Sequence, residues 1–235
     1  MRKRKNVTLS RDQPSADFSD CAISMPSSFL YMNRLTAAVK NRVIAREIRK
    51  LFGAMRVSNE TISTFMHIIT YACSATPIAS PAMARRDKGL SRLGRSVVRE
   101  MERINMAVDV AHLSDASIDG VLDEISAPIF SSHTNARAVL KHRRSLSDRH
   151  IREIARRGGV VGVNYYSPQL VERGRARIED IVKHIEHIAA VGGIDCVALG
   201  SDFDGMGQDA YPEGMNNWKD VPKLIAALQK AGFSE

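Results

Sequence analysis

Three short apolar runs constrain this chain more than any other feature, because each ends on a residue that can bind a metal or move a proton. The runs are Met106–His112, Pro128–His133 and Cys196–Asp202. Apolar runs of this length, bounded by turn residues, are typical of buried parallel strands. Parallel strands in a β/α barrel bring the side chains at their carboxyl ends to one face. We therefore expect His112, His133 and Asp202 to converge on one site.

Helical patterns separate these runs. Ser114 is a predicted helix cap, a second capped helix is predicted from Ser147, and apolar spacing predicts a third helix over 178–189. A further strand is predicted over 160–164 and a last helix from Asp220. Four consecutive β/α units over about 106–235 favour a parallel, right-handed β/α architecture. An intact eight-fold barrel takes roughly 250 residues, so the chain of 235 residues is slightly short for one.

Charge divides the chain into two segments. Residues 1–58 hold 12 Lys/Arg and 4 Asp/Glu, whereas residues 59–235 hold 22 of each. We interpret 1–58 as a basic, poorly ordered segment and 59–235 as the barrel-like domain. A solvated basic tail is the favoured interpretation of the N-terminal charges. Nucleic-acid binding is the alternative, and no aromatic interleaving supports it. Nucleic-acid binding through this segment would be sensitive to salt and would be lost when residues 1–58 are deleted.

Targeting features are weak. No run of about 18 apolar residues indicates a membrane span, and the charged start Met1–Lys5 is not followed by an apolar core. The sequence therefore predicts no export signal and favours the cytoplasm.

Three widely spaced cysteines indicate neither a disulfide framework nor a thiolate zinc site. Upstream, 61–70 is a predicted strand and 72–89 a predicted loop.

Several longer motifs over 89–235 resemble the membrane dipeptidase (renal dipeptidase) family of zinc peptidases. They include Gly94-Arg-x-Val-Val-Arg-Glu-Met101, Asp109-Val-Ala-His-Leu-Ser114, Ser131-Ser-His-Thr-Asn135, His142-Arg-Arg144, Gly159-Val-Val-Gly-Val-Asn-Tyr-Tyr166 and Leu199-Gly-Ser-Asp-Phe-Asp-Gly205. The resemblance implies a metal-dependent-hydrolase-type (β/α) barrel, of which this chain carries the second half. It also implies a two-zinc site that hydrolyses dipeptides.

The resemblance assigns roles to four residues. His112 and His133 match the two histidines that bind the second zinc, and Arg144 matches the arginine that holds the substrate carboxylate. Asp202 matches the acid/base residue. The chain contains neither the family's His-x-Asp motif for the first zinc nor its Glu-Gly-Gly motif for the bridging glutamate. Only two ligands of one zinc site are therefore identified.

Those missing motifs leave a second interpretation open. In this interpretation, the chain is a non-catalytic remnant that is truncated or frameshifted, or a subunit that a partner completes. Translation of the upstream DNA in the other two frames would recover the missing motifs after a frameshift. Exposed strand edges in an incomplete barrel favour pairing with another chain, which makes a homo-oligomer an expectation.

Two further histidines, His184 and His187, have the spacing of a metal-binding pair. Their positions on the polar side of the helix over 178–189 predict that both lie on the surface, outside the site.

Overall fold

The computed structural model describes residues 77–234, which form alternating strands and helices. The helices are α1 (Arg92–Arg103), α2 (Asp115–Glu124), α3 (Asp148–Arg156), α4 (Ile178–Gly192) and α5 (Val221–Lys230). The strands are β1 (Val108–Asp109), β2 (Ile129–Phe130), β3 (Val161–Val163) and β4 (Val197–Leu199). The predicted domain boundary at 58/59 and the predicted strand over 61–70 lie outside the described residues.

The four strands run parallel and neighbour one another in chain order. β1 pairs with β2 through Val108 and Ile129, and β3 pairs with β4 through Val161 and Val197. A parallel bridge between Ser131 and Val161 joins the two pairs. Each strand is shorter than its apolar run, because the paired section ends where the chain turns towards the next helix. The predicted parallel β/α alternation is therefore observed, with shorter strands.

Serine side chains set the start of three helices. The hydroxyl oxygens of Ser91, Ser114 and Ser147 each accept a hydrogen bond from the backbone N–H three residues further on. Such caps satisfy a backbone donor that has no partner within the helix. The caps predicted at Ser114 and Ser147 are confirmed, so local hydrogen bonds define the starts of α2 and α3.

The core lies between the strands and the inner faces of the helices. Five isoleucines of α3 and α4 are 1% exposed or less; they are Ile151, Ile154, Ile181, Ile185 and Ile188. Their spacing of three or four residues places them on one side of each helix. No helix within residues 77–234 is long and apolar enough to cross a membrane.

The surface prediction for His184 is wrong. Its side chain is fully buried, and Nδ1 accepts a hydrogen bond from the backbone N–H of Ala136 at 3.1 Å. Burial lowers the pKa of His184 to about 4, with a further contribution from the charge of His187. His187, by contrast, is partly exposed and pairs with Asp148 at 2.8 Å. The helix thus presents one of its two histidines to the loop that follows β2.

Acid is expected to destabilise the fold through His184. The unfolded chain takes up this proton near pH 6.5 and the folded chain only near pH 4. The unfolded state therefore binds more protons in this window, and the free energy of unfolding falls by roughly 3 kcal/mol as the pH drops through it. His184→Asn retains an acceptor for Ala136 but cannot titrate. Urea unfolding at pH 7 and pH 4.5 should show a smaller loss for the variant, and equal losses would contradict the assignment.

Candidate functional site

Two imidazole rings meet at the carboxyl ends of β1 and β2. The Nε2 atoms of His112 and His133 lie 2.8 Å apart, and the ring planes are inclined by 63°. Both side chains are partly exposed. The expected convergence of these two histidines is therefore observed, and their nitrogens face a common point.

The backbone at His112 is unusual. Its φ of 69° lies in the left-handed region, which turns the chain sharply out of β1. Burial, together with the neighbouring charges of Arg144 and His133, lowers the pKa of His112 to about 3. The ring is therefore neutral at physiological pH, which is the form of imidazole that binds metals.

Neighbouring polar groups hold the loop of His133. Ser132 Oγ lies 2.7 Å from His133 Nδ1, so the hydroxyl oxygen can accept a hydrogen bond from Nδ1–H in the tautomer whose Nε2 carries the lone pair that binds a metal. The carboxylate of Asp109 accepts hydrogen bonds from the N–H groups of Ala111 and Ser132, at 2.9 and 3.0 Å. Asp109 thereby ties the exit of β1 to the exit of β2, and both histidines follow directly.

The carboxylate of Asp202 completes the cluster from β4. Its Oδ2 atom lies 3.9 Å from Nε2 of His133 and accepts a hydrogen bond from Nδ2 of Asn164 at 3.2 Å. Asp202 also has a left-handed backbone, with φ of 61°. Three strands thus contribute side chains to one mouth of the barrel, as the apolar runs predicted.

Arg144 lies beside the histidines. Its Nη2 atom donates to the carbonyl oxygen of His133 at 3.4 Å, and its N–H donates to Nδ1 of His142 at 3.1 Å. Burial and the Arg144 charge lower the pKa of His142. The mouth therefore carries the guanidinium of Arg144 beside the histidine pair and the carboxylate of Asp202, an arrangement suited to an anionic group on a ligand.

The donor set fits part of a zinc site. Two Zn–N bonds of about 2.0–2.1 Å at a tetrahedral angle require nitrogens about 3.3 Å apart, so the Nε2 atoms would separate slightly to share an ion. Within residues 77–234, no group of three or more His, Cys, Asp or Glu side chains is arranged to hold a metal. The described residues thus supply two ligands, whose roles stay a prediction.

Sequence reasoning missed three residues that shape the site: Ser132, Asp109 and Asn164. Each lies at or just beyond the end of a strand. Asn164 follows β3 just as the histidines follow β1 and β2, so a polar residue at the end of the predicted strand over 160–164 was the available signal. The contact between Asn164 and Asp202 could not be inferred, because the sequence alone does not show that β3 pairs with β4.

Solved structures share this architecture. A metallo peptidase from Rhodobacter sphaeroides, liganded with a phosphinate mimic of the dipeptide L-Ala-D-Ala, matches with a TM-score of 0.60 and 31% identity. The match covers 68% of this chain and 44% of that protein. An amidohydrolase from Pseudomonas aeruginosa matches with a TM-score of 0.62 and 27% identity, over 70% of this chain and 57% of that protein. These matches confirm the predicted incomplete β/α barrel.

Sequence relatives point the same way. Two uncharacterized dipeptidases of Schizosaccharomyces pombe are 36% identical over 165 residues and 38% identical over 152 residues. The matches cover 68% and 64% of this chain but 39% and 37% of the relatives, so the chain spans less than half of their length. The model of the membrane dipeptidase family matches residues 34–235, which extends upstream of the motifs that carried the resemblance. The chain belongs to the membrane dipeptidase family, peptidase family M19.

Proposed function

We propose that this chain is a zinc-dependent dipeptidase, with dipeptides as substrates. The single observation that carries the proposal is the meeting of His112, His133 and Asp202 at one barrel mouth, with Arg144 beside them. Family membership supports the reaction class.

Each side chain has a role that suits its position. The imidazoles of His112 and His133 would hold zinc through their Nε2 atoms. Zinc, when bound, polarises the scissile carbonyl and activates water for attack. Asp202 takes the proton of the attacking water and passes it to the leaving amine, since its carboxylate lies next to the imidazole pair.

Arg144 binds the free carboxylate of the substrate. A guanidinium can form a two-pronged, charge-assisted pair with a carboxylate. Since this carboxylate marks the end of the peptide, the pair favours dipeptides over longer chains. The Rhodobacter sphaeroides metallo peptidase is liganded with a mimic of L-Ala-D-Ala, which supports a substrate class that includes D-configured C-terminal residues.

Zinc binding and hydrolysis should be lost together when His133 is replaced. We expect the zinc-loaded full chain to hydrolyse L-Ala-D-Ala, and the amide of that dipeptide to be a poor substrate. His133→Ala should weaken zinc binding by more than about 100-fold, because changes to outer-shell groups alone cost about 10–100-fold. Metal analysis and a hydrolysis assay on the same samples measure both quantities.

His187→Ala is the matched control. This histidine is partly exposed and pairs with Asp148 between α3 and α4, so the variant should retain both zinc and turnover. A wild-type chain that binds no zinc and hydrolyses no dipeptide would contradict the proposal and support a non-catalytic remnant.

A further inference from the structure

Asn164 and Asp202 lie at the exits of adjacent strands. Gly200 donates its N–H to the carbonyl oxygen of Val163 at 3.1 Å, and Tyr165 donates to the carbonyl oxygen of Ser201 at 3.4 Å. The two segments therefore continue side by side beyond β3 and β4. Asn164 is fully buried, whereas Asp202 is partly exposed at the mouth. A buried amide thus lies directly behind an accessible carboxylate.

The orientation of the Asn164 amide is fixed by its neighbours. Oδ1 accepts a hydrogen bond from the N–H of Tyr166 at 2.6 Å. A backbone N–H can only donate, so the oxygen must face Tyr166 and the NH₂ group must face Asp202. The hydrogen bond that Nδ2 of Asn164 donates to Oδ2 of Asp202, at 3.2 Å, therefore follows from the contact with Tyr166 in the turn after β3.

A second buried asparagine anchors the first. The backbone N–H of Asn164 donates to Oδ1 of Asn135 at 3.2 Å, and Nδ2 of Asn135 donates to the carbonyl oxygen of Gln169 at 3.2 Å. Asn135 is also fully buried. Buried polar groups whose partners are satisfied rigidify their surroundings, so Asn164 has little freedom to move away from Asp202.

Gly205 limits the carboxylate from the other side. A Cβ atom at this position would lie 2.1 Å from Oδ1 of Asp202, so this oxygen rests against the glycine backbone. The N–H of Gly205 also donates to the carbonyl oxygen of Asp202 at 3.0 Å. One carboxylate oxygen is thus held by Asn164 and the other lies against Gly205.

We propose that Asn164 is a positioning residue that holds the Asp202 carboxylate towards the imidazole pair, with Gly205 leaving the space that this orientation needs. The inference rests on the proposed dipeptidase function. A proton-transfer group must lie within hydrogen-bond reach of the reacting atoms in the correct orientation. Asn164 supplies that orientation without touching the substrate.

The contact itself can be tested without activity. The side-chain amide signals of Asn164 are assigned in a ¹H–¹⁵N correlation spectrum by their loss in Asn164→Asp. In Asp202→Ala, which removes the acceptor, we expect these signals to move upfield and lose protection from hydrogen exchange. Signals that do not respond to Asp202→Ala would overturn the proposal.

Two variants then disturb the carboxylate from opposite sides. Asn164→Asp keeps the acceptor for Tyr166 but removes the donor to Asp202. Gly205→Ala moves Oδ1 at an exposed position where the backbone tolerates alanine. In the zinc-loaded chain, both should lower kcat by about 10- to 100-fold, the range seen for outer-shell groups, while KM and zinc content change little.

Gly207→Ala is the matched control. A Cβ there would approach Oδ1 of Asp209 at 2.7 Å, which repeats the geometry at a carboxylate outside the site. We expect wild-type kcat for this variant. Wild-type kcat in Asn164→Asp would overturn the positioning role, even if the variant is less stable. If the wild-type chain shows no turnover, the dipeptidase proposal fails, whereas the amide signals still decide whether Asn164 holds Asp202.

Discussion

Gly162→Ala is expected to destabilise the fold by about 3 kcal/mol, the upper part of the usual range for overpacking. An alanine Cβ would lie 2.2 Å from the carbonyl oxygen of Ser132 and 3.1 Å from Cα of Gly200. The closest contact is with backbone, so no side-chain rotation can relieve it. The carbonyl oxygen of Ser132 would have to move, and His133 with it. Urea unfolding measures the loss.

Gly174→Ala separates this contact from the general cost of removing a glycine. Gly174 has a φ of 78°, and a methyl group added there would meet no atom within 4 Å. Alanine at this position therefore costs only the left-handed backbone penalty of about 1–2 kcal/mol. We expect Gly162→Ala to be clearly less stable than Gly174→Ala. Equal losses would mean that the strand exits are packed more loosely than these distances imply.

Asp202→Asn is expected to lower kcat by about 1,000-fold, within the range of about 10²–10⁴ for general acid–base groups. The amide keeps the size of the carboxylate but cannot take a proton from water. KM and zinc content should change little, since the proposed contacts to substrate and metal come from Arg144 and the two histidines. Steady-state kinetics on dipeptides, with metal analysis of the same samples, checks the result.

Asp195→Asn provides the comparison for this substitution. Asp195 is exposed in the turn that precedes β4, at the opposite end of the strand from Asp202. The same chemical change there should leave kcat at the wild-type level. A variant Asp202→Asn that retains wild-type kcat would remove Asp202 from the proposed mechanism.

Much of the fold followed from local signals. Apolar runs with turn residues predicted the parallel strands, and serine caps predicted the starts of α2 and α3. These signals act over a few residues, so a single sequence displays them fully. The convergence of His112, His133 and Asp202 followed from the strand ends, because parallel strands share one orientation.

The errors and omissions came from contacts between distant segments. His184 appeared to face solvent, yet the donor that it meets is the N–H of Ala136, 48 residues earlier in the chain. His150 is likewise buried, with its Nε2 atom 2.9 Å from Asp119, which lies 31 residues earlier in the chain. Helical spacing identifies the side of a helix but not the loop that covers it, so such partners could not be found from periodicity.

The left-handed turns at His112 and Asp202 have a consequence for variants of this protein. Within residues 77–234, only three residues other than glycine have positive φ, and these are two of them, with Asn105 as the third. Glycine adopts this backbone more readily than any other residue. Selection for thermal stability alone would therefore favour glycine at both turns. Such variants would have a more stable fold but would lack the imidazole of His112 and the carboxylate of Asp202.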